Sequence, residues 1–598
     1  MFRFLGIAWN DASEAANAAA ARLCATVKDR ADWTRVAGTP GLDVFMTGAR
    51  GGANRHYDLG PRGVILGKLF LRVRLDTFTV PVHVDSIDDP ERLQESGGRA
   101  LVGGYWGRYV AFVRSPTGIT SIVRDPSGTL PCHLMQHDGV YIAFSWLEDV
   151  IDLMPSIPRP AIRWSALAAQ VRLGEPSGRE TALEGVTQVV AGEAVYLVHP
   201  RPERALVWNA TDHARVVATE DLAEAATLLR RTMLHCAASW ASCYPRVLLR
   251  LSGGVDSSML LACLAHEEIE ADVTCLNYHS PGANSDERAY ARLAAARFDR
   301  KLVELERPSA TLLDGVLRIA RTPSPTSYVG RIGTARSDAE VARAHGAPAM
   351  FTGGGGDQLF FELHHWWPAA DYLRLRGLDG GFLGAALDAA RLGGLSLWKT
   401  LRLALADRFR SGPLPHDSPG AGSLIDPEAL AADALAPFEH PAMRHVDGLP
   451  IGKLMQLQIL LAHGGYYDPF EGARAPELVN PFLSQPLIEL CLALPTYVLA
   501  HGGHGRALAR QAFASDLPPE IAARRSKGGM SEMVKALLLD NLAFARSLLL
   551  DGELVRRGIL RRDKVEEALS GRPSTLSGNV VEIHDLISTE AWIRRWTE

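Results

Sequence analysis

No run of about 18 apolar residues interrupts this chain, so a membrane-spanning helix is not expected. The start, MFRFLGIAWNDASEAA, has only a short apolar stretch and does not read as a secretory signal, which needs a long apolar segment. Cysteine is sparse and its number is odd: seven in all, Cys24, Cys132, Cys236, Cys243, Cys263, Cys275 and Cys491, with no CxxC pair. That argues against a disulfide framework or a zinc site and for a reducing cytoplasm. Basic residues are not in surplus either: 63 Lys and Arg stand against 68 Asp and Glu, a net charge of −5. A nucleic-acid partner is therefore not expected. Apolar content is ample, at 47% hydrophobic and 22% charged, and supports large buried cores. A length of 598 residues predicts more than one domain, because single cores rarely outgrow about 250–300 residues.

The two halves differ in texture. Between about residues 60 and 200, short apolar runs at 63–71, 109–113, 119–123, 140–144 and 193–197 are separated by Pro, Gly, Asp and Asn, the pattern of β-strands and turns. The Ala-rich stretch 13–28 reads as a helix. A Pro-rich break at 199–203 marks the boundary, giving domains 1–205 and 206–598. Past it, Thr219 is placed to cap a helix running to about Ala238, with Leu222, Ala226, Leu229 and Met233 at helical spacing. Strands at 246–251, 272–278 and 303–305 alternate with helices at 259–266 and 286–298, which implies a parallel α/β sheet. From about residue 361 the chain reads mostly helical, with a Gly/Pro/Ser-rich loop at 410–423.

The chemistry concentrates in the strand–loop–helix that contains Leu251, Ser252, Gly253, Gly254, Val255, Asp256, Ser257 and Ser258. A helix start presents unpaired N–H groups and a positive dipole end. Glycines there let an anion approach the backbone, and the serines add hydroxyl donors. A Walker A pattern, GxxxxGK[ST], is absent throughout. In place of its lysine the loop carries Asp256, which would repel bare phosphate unless Mg²⁺ lay between them. An isolated SGG is ordinarily a turn, but SGGVDSS directly between a strand and an apolar helix is a far more specific signal. A second strand leads into Thr352, Gly353, Gly354, Gly355, Gly356 and Asp357. Four successive glycines contribute no packing and suggest either a flexible turn or close backbone approach to a ligand. In the second case Asp256 and Asp357 would share Mg²⁺ on ATP phosphates.

These motifs resemble the asparagine synthetase family. SGGVDSS is similar to its pyrophosphate loop, TGGGGDQ at 352–358 to its second loop, and Asp286-Glu287 to its acidic pair. Pro481-Phe482-Leu483 is similar to its PFLD element, with Ser484 in place of Asp. Arg506 to Arg510, Leu517-Pro518 and Arg525 to Gly529 follow its basic tail. Leu101 to Val113, Arg124 to Gly128 and Phe144-Ser145 resemble its glutaminase-type domain. The resemblance implies an Ntn-type, β-rich α+β domain followed by a PP-loop α/β synthetase domain with a large helical part. It also implies an ATP-dependent, AMP- and pyrophosphate-forming ligase. Residue 2 departs from the pattern: it is Phe, where glutamine hydrolysis in this family needs cysteine after the initiator Met. The first domain is therefore expected to be hydrolytically dead. The third position of the second loop, Gly354, lacks the family's larger side chain and makes room for a bulkier substrate.

Within the family these features are most similar to lasso peptide macrolactam synthetases, which join a precursor peptide's α-amine to an internal Asp or Glu. The partners implied are a leader-processed ribosomal peptide, a leader protease and a leader-binding protein. ATP phosphates and Mg²⁺ fall to the residues of the two loops, with Asp256 and Asp357 on the metal. Backbone near Leu251 and Leu276 is assigned to adenosine, Arg506 to phosphate and Lys527 to charge stabilisation during amine attack. Glu477, four residues before Pro481, is either catalytic or structural. A lone lysine such as Lys527 is ordinarily a solvated surface residue, and the RRSKGG context is what points to catalysis. His364-His365-Trp366-Trp367 reads as core or as the wall of a peptide pocket. A β-lactam synthetase-like or other small-molecule amide synthetase, and a non-catalytic peptide scaffold, are the alternatives.

Overall fold

The computed structural model describes residues 1–598 apart from 50–53, 74–83, 175–176, 199–200, 281–285, 308–312, 328, 409–423, 428, 430–434, 463–466, 525–529 and 572–579. The predicted linker is thus described only in part, and the Gly/Pro/Ser-rich loop and Lys527 lie outside the described residues.

The N-terminal strands are β1 (Arg3–Trp9), β2 (Thr34–Thr39), β3 (Leu42–Thr47), β4 (Arg55–Asp58), β5 (Gly63–Leu71) and β6 (Tyr105–Arg114). They continue with β7 (Thr120–Arg124), β8 (His133–His137), β9 (Val140–Phe144), β10 (Val186–Gln188), β11 (Glu193–Tyr196) and β12 (Glu203–Leu206). They form two antiparallel sheets, ordered β10-β8-β9-β1-β3-β2 and β12-β11-β7-β6-β5-β4. The inner faces interdigitate through Phe4, Val44, Val64, Leu66, Val110, Phe112 and Ile122. The sheets approach closely: a Cβ on Gly6 would lie 2.3 Å from the Phe112 ring. Alternation sends Leu5, Ile7 and Ile142 to the other face of the first sheet, where they meet Leu23 and Val27 of the helix Glu14–Lys28. The result is an α+β half of stacked helix, sheet and sheet in which hydrophobic burial fixes both register and stacking.

The second half is built on β13 (Arg246–Arg250), β14 (Asp272–His279), β15 (Leu302–Glu306), β16 (Ala349–Phe351) and β17 (Glu477–Val479). They form a wholly parallel sheet in the order β15-β14-β13-β16-β17. The observed architecture is the α/β class read from the sequence, with antiparallel sheets first and a parallel sheet with helices second. β17 escaped the sequence reading: three residues inside a largely helical region carry no periodicity of their own, and only pairing with β16 makes them a strand. Two helix starts also differ from expectation. The helix Leu222–Ala241 is capped by Asp221, which accepts from Glu224 N–H at 2.8 Å, while the Thr219 hydroxyl bonds the Glu224 side chain. The helix after SGGVDSS begins at Val255 and runs to Leu264, so Asp256, Ser257 and Ser258 form its first turn. Such residues disfavour helix interiors but suit helix starts.

Buried clusters cross the 205/206 boundary. Phe70 and Trp106 of the second N-terminal sheet pack on Trp240, with ring centroids 5.4 and 6.5 Å away. The final helix, Val580–Thr597, buries Ile583, Ile587 and Trp592 in the cluster that holds Leu5 and Ile7. The helical part packs separately: Trp367–Arg376, Phe382–Gly393 and Leu397–Arg408 share a small core with Ile451. Among the described residues no helix is long and apolar enough to cross a membrane.

Candidate functional site

Parallel sheets bind ligands beyond the carboxyl ends of their strands, and both glycine loops emerge there. β13 and β16 are hydrogen-bonded neighbours, with Leu249 opposite Phe351, so residues 252–257 and 352–357 leave the same edge side by side. Gly253 takes φ +79°, and a Cβ on it would stand 2.9 Å from Ala291 N, Glu287 O and Tyr290 Cβ. Only glycine tolerates both that conformation and that approach. The first helical bond of Val255–Leu264 runs from Ser258 N–H to Gly254 C=O at 3.1 Å. Val255, Asp256 and Ser257 thus make up the first turn, at the positive end of the helix, which is the end that suits an anion. Ser252 Oγ lies 3.2 Å from Ser257 Oγ and accepts from Gly254 N–H at 3.2 Å. Ser258 is turned inward, donating to Gly254 C=O at 2.8 Å, and is fully buried.

The second loop packs directly on the first. A Cβ on Gly353 would lie 3.1 Å from Asp256 Cβ, and one on Gly356 would lie 2.6 Å from Asp256 Cγ. These glycines permit close approach of one loop to the other, a third use beside the flexible turn and the ligand contact read from the sequence. Gly354 N–H donates to Thr352 Oγ1 at 3.0 Å, and Thr352 Oγ1 donates to Asn480 Oδ1 at 2.5 Å. A Cβ on Gly354 would meet those same two side chains at 3.1 Å, so on this side the missing side chain is backed by polar groups.

Asp256 and Asp357, far apart in sequence, converge on one guanidinium. Arg506 Nε donates to Asp256 Oδ1 at 2.7 Å, Nη2 pairs with Asp357, and Nη1 lies 2.6 Å from Glu362 Oε2. The Arg506 side chain is 5% exposed, while that of Asp357 is 45% exposed. Arg506 adopts φ +57° at the N-cap of Ala507–Ala512, a conformation costly for arginine and held here by three carboxylates. The sequence reading gave Arg506 to phosphate. The structure puts it first on the carboxylates, in the space between the two assigned to the metal. Glu362 was missed. Its only sequence signal is an acid five residues after Asp357, and its N–H bonds Asp357 C=O at 2.7 Å. His364 Nε2 lies 3.4 Å from Glu362 Oε1, and the His365 and Trp367 rings stack 3.9 Å apart. The aromatic run thus flanks the carboxylate group. Two carboxylates that converge on a cation at a solvent-open edge, beside the positive end of a helix, are the donor set that Mg²⁺ uses when substrate phosphates supply its other ligands. The residues therefore fit the ion. Among the described residues no group of three His, Cys, Asp or Glu forms an all-protein metal cage.

The first loop is braced from its other side. Arg524 Nη1 donates to Gly253 C=O at 3.3 Å, its guanidinium pairs with Glu287, and its Cζ lies 4.1 Å from the Tyr290 ring centroid. Arg524 comes three residues before Lys527, whose own position is not described. Leu251 and Leu276 are fully buried. Leu251 N–H is spent on Leu276 C=O at 2.9 Å, and Leu251 C=O accepts from Asn277 Nδ2 at 2.8 Å. Their side chains are thus sheet core and these bonded groups belong to the fold, so the contact with adenosine expected here would fall to backbone around them.

Glu477 does not join this group. It opens β17 level with Ala349, three residues before the level of Thr352, or roughly 10 Å at the rise of a strand. There it faces the N-terminal half. Lys68 Nζ donates to Glu477 Oε1 at 2.6 Å, Asn54 Nδ2 to Oε2 at 2.9 Å, and Arg108 pairs with the same carboxylate. Of the two roles considered for it, catalytic and structural, its position supports the structural one. A cavity of about 870 Å³ opens beside it, lined in part by Met1, Phe2 and Asn54. None of the described lining residues is a cysteine. All seven cysteines are unbridged and buried. Burial pushes the thiols up: Cys24, Cys132, Cys236, Cys275 and Cys491 to about 12, and Cys243 to about 11. Burial also raises the Cys263 thiol. A thiolate nucleophile is the form that hydrolyses glutamine, and none is supplied by these groups near neutral pH.

Compared with protein-family models, residues 229–594 match asparagine synthase, which is more than half of the chain. No curated protein matches the sequence.

Proposed function

Starting from the chain's membership of the asparagine synthase family, whose activity is ATP-dependent, AMP-forming amide ligation, we propose that it closes a macrolactam on a ribosomal peptide. The observation that carries the reading is the pairing of a complete phosphate-loop edge with an N-terminal half that offers no hydrolytic thiol. Phe2 stands at the position of the family's cysteine, and its carbonyl is occupied by Tyr467 OH at 2.6 Å. With no ammonia from glutamine, the nucleophile has to come with the substrate. A peptide α-amine and an internal Asp or Glu satisfy that need within one molecule.

The chemistry balances in two steps. A carboxylate oxygen of the peptide attacks the α-phosphorus of ATP, the bond to the β-phosphate oxygen breaks, and pyrophosphate leaves. The peptide amine then attacks the acyl carbon, loses a proton, and AMP departs with its oxygen. The serine hydroxyls and N–H groups at 252–257 hold the pyrophosphate. Arg506 keeps Asp256 and Asp357 aligned with each other, and Arg524 fixes Gly253 in its left-handed turn. Asp256 and Asp357 would hold Mg²⁺, which offsets charge developing on the phosphates. Lys527 is assigned to the charge of the second step. Holding amine and acyl group in one folded peptide supplies rate by proximity, with effective molarities that reach on the order of 10⁵ M.

Mass spectrometry of a leader-processed precursor incubated with the protein, ATP and Mg²⁺ tests the reading. Loss of one water per peptide, with one AMP released, is the expected result. Pyrophosphate release only with a small β-amino acid would replace the peptide with a small-molecule substrate. No nucleotide turnover with either substrate would leave a peptide-binding scaffold.

A further inference from the structure

β17 pairs with β16 through three residues, Glu477, Leu478 and Val479. So short a ladder fixes its own register poorly, and a slip of one residue moves every side chain to the opposite face. The strand is nevertheless gripped at both ends. At its start Glu477 takes Lys68 at 2.6 Å and Asn54 at 2.9 Å, together with Arg108. Lys68 also donates to Asn54 Oδ1 at 2.7 Å, and Arg108 Nη1 to Leu478 C=O at 3.2 Å. At its far end Val479 C=O accepts from Thr352 N–H at 3.0 Å, and Asn480 Oδ1 accepts from Thr352 Oγ1 at 2.5 Å. Thr352 Oγ1 in turn accepts from Gly354 N–H. The backbone of β17 joins the two sets of bonds, and so links two cations of the N-terminal half to the glycine loop that ends in Asp357.

We infer that Lys68, Arg108 and Asn54 are positioning residues for the 352–357 loop, acting through Glu477 and the register of β17. The N-terminal half would then serve as a brace for the nucleotide site. The observations separate this from generic stability. Lys68 is 1% exposed and the Arg108 side chain 3%. Burying two cations against one carboxylate is an expensive way to hold a fold, and apolar residues of similar volume usually do as well or better. Register is the use for which buried ionic groups are best attested. A slip of one residue would carry Asn480 roughly 3.3 Å away from Thr352. The inference rests on the proposed function only for its kinetic readout.

The test compares the full-length wild type with Lys68→Met and Lys68→Arg. Arg108 stays on Glu477 in both variants, so the carboxylate is never left alone. Hydrogen exchange at the Thr352 and Gly354 amides is measured against the β13 amides 247–250. The expected result in Lys68→Met is exchange roughly 2- to 30-fold faster at 352 and 354, the range of couplings carried by such networks. The β13 amides should stay unchanged, and Lys68→Arg should restore protection. ATP-dependent pyrophosphate exchange should show a lower kcat/KM for ATP in Lys68→Met, with the KM for the acid unaltered. Unchanged protection at 352 and 354, or equal acceleration across β13, would overturn the inference. If the wild type exchanges no pyrophosphate with any acid, the proposed function fails while the amide comparison still decides the brace.

Discussion

Gly356 sits against Asp256 so closely that a Cβ on it would stand 2.6 Å from the aspartate's carboxyl carbon. One loop's glycine therefore sets where the other loop's acid points. The carboxylate cannot yield cheaply, because Arg506 Nε holds Asp256 Oδ1 at 2.7 Å. Gly356→Ala should push the carboxyl group by the better part of an ångström. A misplacement on the order of 1 Å can cost about 10²-fold in rate. The expected loss is roughly 10- to 100-fold in kcat/KM for ATP in pyrophosphate exchange. Wild-type kinetics in this variant would show that the contact between the loops does not matter.

Asp256→Ala removes the acid altogether and leaves Arg506 on Asp357 and Glu362. Adenylation should be abolished, since the edge loses the largely buried carboxylate assigned to the metal. Asp357→Asn should be milder, because that side chain is 45% exposed and a hydrated ion can substitute part of its contact. Calorimetry of ATP·Mg²⁺ binding, run beside pyrophosphate exchange, checks both. Undiminished exchange in Asp256→Ala would remove the metal assignment.

Glutamine should not be hydrolysed. The first residues are committed to the fold: Phe4 N–H bonds Ser145 Oγ at 3.0 Å, and Phe2 C=O accepts from Tyr467. Every cysteine is buried with its thiol pushed up. Glutamate release from glutamine, assayed with and without ATP and peptide, should not exceed the buffer rate, and measurable release would contradict the reading of Phe2.

What could be read from the sequence was what local patterning carries. β5 and β9 fall on the predicted residues because their apolar runs end at turn formers, and the strand–loop–helix of SGGVDSS follows from glycine and serine chemistry. Non-local pairing was not legible. β17 is a strand only because β16 lies beside it, and Glu477 belongs to the interface between halves because Lys68 and Arg108, some 400 positions earlier, fold to meet it. Glu362 joined the site unannounced, since nothing local distinguishes it from a surface acid. The convergence of Asp256 and Asp357 was read from two similar loops. The arginine between them was not, because a side chain's partners depend on tertiary placement.

His440 supplies a pH test of how the halves join. It is buried and shared: its Nε2 lies 3.1 Å from Ala191 O, its Nδ1 accepts from Ala442 N–H at 3.2 Å, and its own N–H bonds Ser177 Oγ at 3.0 Å. Burial lowers its pKa to about 4 from the ordinary 6.5. The unfolded chain therefore takes up a proton near 6.5 that the folded chain refuses until about 4, so stability contributed by the neutral ring is lost as pH falls through that window. At about 1.4 kcal/mol per unit, the loss approaches about 3 kcal/mol near pH 4. Other buried groups titrate in the same range, among them Asp371, raised to about 6 by burial, so the wild type alone does not isolate the effect. The comparison with His440→Gln does. That variant loses the ring's bonds at every pH but carries no titrating group, and its deficit in denaturant-derived stability should be largest near pH 7.5 and shrink steadily toward pH 4.5. A deficit that stays constant with pH would mean that the ring is protonated alike in both states, and that the seam around Ala191 and Ser177 is open to water.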